Sequence, residues 1–143
     1  MEHTKANFRA LRETVGMTQA HLAKECGIDP RSVRRWEDPA NSAYAPREFA
    51  WDVLIKAREA QIKAIDAAID AVEQIEEQQG AAPESVSLTY WASATQYAHA
   101  HPEEDPANWQ MANANARLTA HMLDKMGFKV EFGFPGIAEI DEE

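Results

Sequence analysis

The sequence predicts a mainly α-helical fold, with a head of short helices at the N-terminus, a long linking helix, and a small C-terminal α+β unit of order β-α-α-β. Three observations carry this reading. Residues 5–37 hold three short stretches with apolar residues at helical spacing, each closed by capping residues. Between Pro46 and Gly80 lies a run without proline or glycine, rich in Ala, Glu, Gln, Lys and Ile. Two segments near the C-terminus, 85–90 and 128–132, alternate apolar with polar residues, as half-buried strands do. The expected boundaries are 1–55 for the head, 56–82 for the linking helix and 83–143 for the C-terminal unit.

The head opens with a helix over residues 5–15, whose Phe8, Leu11 and Val15 share one face. Thr18 caps a second helix; Leu22, Ala23 and Cys26 form its inner side, and Gly27 ends it in a position that favours left-handed backbone. Gly27 and Ile28 leave almost no linker before Asp29, a good N-cap, and Pro30, which suits the first helical position. The two helices must therefore cross steeply, and small Ala23 permits close approach at the crossing. In the third helix, through about Glu37, Val33 and Trp36 form a narrow buried side. Arg31, Ser32, Arg34 and Arg35 cover the rest. Arginine can pair in a bidentate way with guanine O6 and N7, and a serine hydroxyl can donate to a base or a phosphate, so this is a surface suited to DNA. The stretch 8–38 reads as a helix-turn-helix.

The motif G-M-T-Q-x-x-L-A-x-x-x-G-I at residues 16–28, followed by a polar cap and a short helix ending in R-W-E, resembles the phage-repressor (Cro-like, XRE-type) helix-turn-helix family over roughly residues 5–55. The resemblance implies that Gln19 opens the second helix against a phosphate or base, that Arg31 and Arg35 are the main base readers, and that Ser32 and Arg34 support them. With Thr18 and Arg47, Arg34 would also meet the DNA backbone. It implies further that Arg12 pairs with Glu37 in the interior. Where the family commonly has Asn-Gly and basic residues after that glutamate, this chain has Asp38-Pro39 and the neutral run ANSAYA, which weakens the expected phosphate grip.

The net charge of −10 argues against a nucleic-acid partner only until the charges are located. Residues 1–35 hold seven Lys or Arg against four acids, a net +3, and the remainder holds seven against twenty, a net −13. The basic end is the arginine-bearing end. An acidic body lowers non-specific affinity and leaves discrimination to a few contacts.

Along the linking helix Ile55, Ile62 and Ile69 recur every seven residues, with Ile65 and Val72 between them. Such a seam needs a partner, either the chain's own C-terminal part or a second copy. Gly80-Ala81-Ala82-Pro83 then ends the helix. In the C-terminal unit Val86, Leu88 and Tyr90 line one face of the first strand, and Phe128, Val130 and Phe132 one face of the last. Helices are expected over 91–100 and 106–126, the second closed by Gly127. Two strands make a marginal sheet, so pairing across a dimer or packing on the long helix is expected. The candidate dimerisation residues are Ile62, Ile65, Ile69, Val72, Val86, Leu88 and Val130, and the C-terminal unit is the candidate dimerisation domain. The layout, with V-x-L-x-Y, then His101-Pro102 and Trp109, is similar to anti-CRISPR-associated autorepressors and YdiL-like proteins. That similarity implies a homodimer on an inverted repeat in its own promoter, with binding to its own messenger RNA in some members.

Several classes fall away. At 143 residues with 45% hydrophobic content the chain is too small for a large enzyme, and no apolar run approaches a membrane span. No signal-like segment follows the charged start, so a cytoplasmic location is expected. The single cysteine, Cys26, cannot form an internal disulfide and is expected to be a reduced core residue. His99 and His101 with Glu103, Glu104 and Asp105 read as a solvated acidic loop rather than a metal site, and His121 as helix surface or core. No phosphate loop, nucleophile elbow or Cys-x-x-Cys pair is present, so neither catalysis nor a cofactor is expected. Trp36, Trp51, Trp91 and Trp109 read as core anchors. The favoured function is a sequence-specific regulator that binds a palindromic operator in double-stranded DNA as a homodimer. The alternative is a protein-interaction module, such as an antitoxin-like partner, for which the acidic residues 139–143 would serve.

Overall fold

The structure, a computed structural model, describes residues 1–136. Its elements run α1 (Lys5–Val15), α2 (Gln19–Cys26), α3 (Pro30–Glu37), α4 (Glu48–Gln79), β1 (Val86–Thr89), α5 (Ala94–Ala100), α6 (Asn108–Lys125) and β2 (Val130–Gly133). The fold is mainly α, with a helix-turn-helix at the N-terminus and two strands among the helices of the C-terminal region. The chain divides into two compact units, residues 1–61 and 62–143, so that α4 contributes its first part to one and its second to the other. The acidic residues 139–143 lie outside the described residues.

In the first unit each short helix starts and stops where side-chain chemistry requires. Thr4, Thr18 and Asp29 accept a backbone N–H from Asn7, His21 and Arg31 respectively, and each stands in extended backbone at the cap position. Gly16 and Gly27 end α1 and α2 at φ of 81° and 67°, in the left-handed region where a Cβ is unfavourable. The capped helices bury Phe8, Leu11, Val15, Met17, Leu22, Ala23, Val33 and Trp36, together with Ala50, Trp51 and Leu54 from α4. Phe8 stands edge-on between Trp36 and Trp51, with ring centroids 6.0 and 5.1 Å away. Gln61 is buried, and its amide donates to the carbonyl of Thr14 at 2.8 Å, satisfying a group that the end of α1 leaves open. Cys26 is half-buried rather than fully interior. Burial and the neighbouring Glu25 raise its thiol pKa, which keeps it protonated.

In the second unit β1 and β2 pair with one another in parallel, Val86 opposite Val130 and Leu88 opposite Phe132. The crossover through α5 and α6 makes parallel pairing within one chain feasible, since such a connection needs a dozen or more residues. Ile65, Ile69 and Val72 of α4, Leu123 of α6 and Phe128 form the core beneath the sheet, with Val86, Val130 and Leu118 packed against it. The long helix therefore offers part of its seam to its own chain. Ile65, Ile69 and Val72 are interior, whereas Ile55 and Ile62 are exposed at 40% and 43%. A seven-residue repeat cannot distinguish these outcomes, because the same a/d spacing serves an intrachain and an interchain partner.

The aromatic residues of this unit are tied to its loops. The buried amide of Asn113 donates to the Trp91 carbonyl at 2.9 Å and accepts the Trp91 N–H at 2.8 Å. Tyr97 packs on Trp91 and His101 and donates its hydroxyl to Glu104 at 2.7 Å. Burial and then that hydrogen bond raise the Tyr97 phenol pKa well above 10. The same bond, with a second from Asn108, lowers the Glu104 carboxyl. The phenol therefore stays protonated in the fold above pH 10, where the unfolded chain ionises. Its stabilisation is full at neutral pH and is lost as pH rises through the alkaline range. A pH titration of the phenolate absorbance should show one tyrosine ionising only on alkaline unfolding, and Tyr97→Phe should remove that late step.

Candidate nucleic-acid interface

The turn between α2 and α3 is set by Gly27, after which the Ile28 N–H returns to the Ala23 carbonyl at 2.9 Å. Asp29 then opens α3, and with Val33 and Trp36 turned inward the exposed side carries Arg31, Arg34 and Arg35. Ser32 is half-buried at the first turn of the same helix, and its N–H is engaged with the Asp29 carbonyl at 2.9 Å. The spacing of the two inward residues three apart is what leaves the arginines outside.

Beneath that surface lies a buried ionic network. Arg12 donates Nε and Nη2 to the two carboxylate oxygens of Glu37 at 2.6 and 2.7 Å, and Nη1 to the Met17 carbonyl at 2.9 Å. Gln19 donates its amide to Glu37 Oε1 at 3.1 Å. The bidentate pair fixes the C-terminal end of α3 against α1, and Gln19 brings the start of α2 into the same network. Gln19 is half-buried, so its amide nitrogen has a structural partner while its carbonyl oxygen is left to accept.

The other residues of the surface have distinct surroundings. Thr18 Oγ1 accepts from His21 N at 3.0 Å in its capping role, so its hydroxyl hydrogen can donate elsewhere. The guanidinium of Arg31 folds onto the carboxylate of Asp29, with Nη2 3.0 Å from Oδ2 and Nε 3.3 Å from Oδ1. That contact, followed by the Arg31 backbone N–H on the same carboxylate, lowers the Asp29 pKa, and in return raises that of Arg31. The guanidinium carbon of Arg35 sits 5.4 Å from the centre of the Tyr44 ring, within cation–π range. Arg47 is exposed just before α4, and its carbonyl accepts from Ala50 and Trp51.

Sequence reasoning missed Lys5 and Asp38. The Lys5 ammonium donates to the carbonyls of Arg35 and Trp36 at 2.9 and 3.0 Å and to that of Tyr44, placing a cation at the C-terminal end of α3. Asp38 Oδ1 accepts from Ala40 N and Oδ2 from Asn41 Nδ2, at 2.9 and 3.0 Å, an Asx-type turn that shapes the neutral loop. The only signal for Asp38 was an aspartate before a proline. For Lys5 there was none, because its partners are backbone carbonyls distant in sequence.

Elsewhere His101, Glu103 and Glu104 bring one ligand atom each within 4.8 Å of one another. Two of them already have protein partners, since His101 lies 3.4 Å from Glu104 and Glu104 accepts from Tyr97. Among the described residues, no helix is long and apolar enough to cross a membrane.

No curated protein matches the chain. Residues 8–37 match a family model described as helix-turn-helix, the segment that holds α2, α3 and most of α1. The N-terminal segment thus belongs to the XRE-type helix-turn-helix family, and the chain carries the DNA-binding domain of a regulator of that type.

Proposed function

We propose that the protein is a sequence-specific transcriptional repressor that binds an inverted repeat upstream of its own gene as a homodimer. The observation that carries this reading is α3. It is a capped helix with two inward apolar residues, presenting Arg31, Arg34 and Arg35 on a rigid core. Arg31, Arg35, Ser32 and Gln19 would meet base edges, and Arg34, Thr18 and Arg47 the phosphates. The acidic second unit, with four Lys or Arg against fifteen acids, disfavours a second nucleic-acid surface there. Homodimerisation and autorepression rest on the similarity of the C-terminal layout to autorepressors, and on the need of a single reading head for a second half-site.

With Ile65, Ile69 and Val72 interior, the proposed dimer surface moves to what the sheet leaves open. Val86 and Val130 cover the core, but Leu88 and Phe132 continue the same apolar face, with Phe132 half exposed and Phe134 56% exposed beyond it. Hydroxyl-radical footprinting of DNA from upstream of the gene tests both claims. The wild-type protein should protect two blocks whose centres lie about 10 base pairs apart or a multiple of that. Phe132→Glu should lose the paired protection while remaining folded. A single protected block, or an unchanged footprint in the variant, would contradict the dimer. An absence of protection would favour an RNA or protein partner.

A further inference from the structure

We propose that Asp29 determines specificity by holding Arg31 so that its guanidinium reads guanine end-on and is withheld from the phosphate backbone. The inference rests on the DNA-binding function proposed above and refines it.

Asp29 acts on Arg31 twice. Its Oδ1 accepts the Arg31 backbone N–H at 2.8 Å, which caps α3, and the same carboxylate takes Nε and Nη2 of the side chain at 3.3 and 3.0 Å. A guanidinium has two bidentate edges, one through Nε and Nη2 and one through Nη1 and Nη2. The first is occupied by the chain's own carboxylate. The remaining pair of parallel N–H groups matches the O6 and N7 acceptors that guanine presents in the major groove. Both side chains are well exposed, 70% for Arg31 and 50% for Asp29, so the free edge is accessible to a base.

Charge separates the two uses of an arginine. A phosphate contact draws its strength from a net positive group, and the Asp29 carboxylate beside Arg31 cancels most of that charge and repels a phosphate oxygen directly. A guanine edge is a neutral pair of acceptors and suffers far less from the neighbour. Arg31 is also held before DNA arrives, which reduces the side-chain ordering that binding requires. Arg35 is differently placed, with its guanidinium against the Tyr44 ring.

Asp29→Asn isolates the effect, because asparagine caps a helix as well as aspartate but cannot form the ion pair. Wild-type protein and the variant would each be selected against a randomised duplex library. Anisotropy would then follow binding to the enriched duplex, and to versions with A·T in place of each G·C pair, at two salt concentrations. Wild type should require a guanine at one position per half-site, the position at which Arg31→Ala removes all preference. At that position Asp29→Asn should lose about tenfold in discrimination or more. Its affinity for random duplex should rise, and the slope of log affinity against log salt should steepen by about one. Wild-type preference retained by Asp29→Asn at every position, with or without a uniform gain in affinity, would overturn the proposal and leave Asp29 a cap alone. A wild-type selection without any consensus would fail at an earlier step and overturn the DNA-reading function, and this inference with it.

Discussion

Glu37→Ala should destabilise the N-terminal unit by about 3–5 kcal/mol, the range for removing one partner of a buried ion pair. Both side chains of the pair are nearly inaccessible, 9% for Arg12 and 3% for Glu37. Once the carboxylate is gone, the Arg12 guanidinium retains, among the described residues, the Met17 carbonyl, and the Gln19 amide loses its Glu37 acceptor. The loss is large because an uncompensated charge stays in the interior, not because the pair itself contributes so much. The double variant Arg12→Met, Glu37→Leu should therefore recover most of the stability lost by Glu37→Ala. Urea unfolding followed by tryptophan fluorescence, with Trp36 and Trp51 in that core, measures both. A loss below about 1 kcal/mol in Glu37→Ala would mean that the pair behaves as a solvated surface contact.

The second large effect belongs to the C-terminal unit. Leu123 is fully buried where α6 meets Ile65, Ile69, Val72 and Phe128. Leu123→Ala should cost about 2–5 kcal/mol, from lost transfer energy plus the cavity left among neighbours that cannot close over it. Leu123→Met keeps the volume and should cost less than about 1.5 kcal/mol. Near-equal effects of the two substitutions in urea unfolding would contradict the placement of Leu123 at the centre of this core. The comparison matters because the small parallel sheet depends on that core for its packing.

The head was legible in the sequence because its ends are chemically marked. Thr18, Gly27, Asp29 and Pro30 each have a specific reason to stand at a helix boundary: α2 runs between Thr18 and Gly27, and α3 starts at Asp29 and Pro30. The strands at Val86–Thr89 and Val130–Gly133 were legible from alternation, but their parallel pairing was not, since alternation carries no information about the partner. The seam of α4 was ambiguous for the same reason. At the candidate site, the exposure of the arginines followed from the spacing of Val33 and Trp36. Their partners did not. The Asp29–Arg31 contact needs side-chain geometry, the Arg35–Tyr44 contact joins a helix to an irregular loop, and Lys5 acts on carbonyls that no residue pattern reveals.

Fluorescence anisotropy on DNA from upstream of the gene, against a shuffled duplex, tests most directly whether α3 reads sequence. Wild type and the Arg31→Ala, Arg35→Ala double variant would be compared at two salt concentrations. Wild type should prefer the upstream duplex at both salts, and the double variant, folded to the same extent by circular dichroism, should bind the two duplexes equally and weakly. A double variant that kept the wild-type preference would contradict the assignment of α3 as the reading helix.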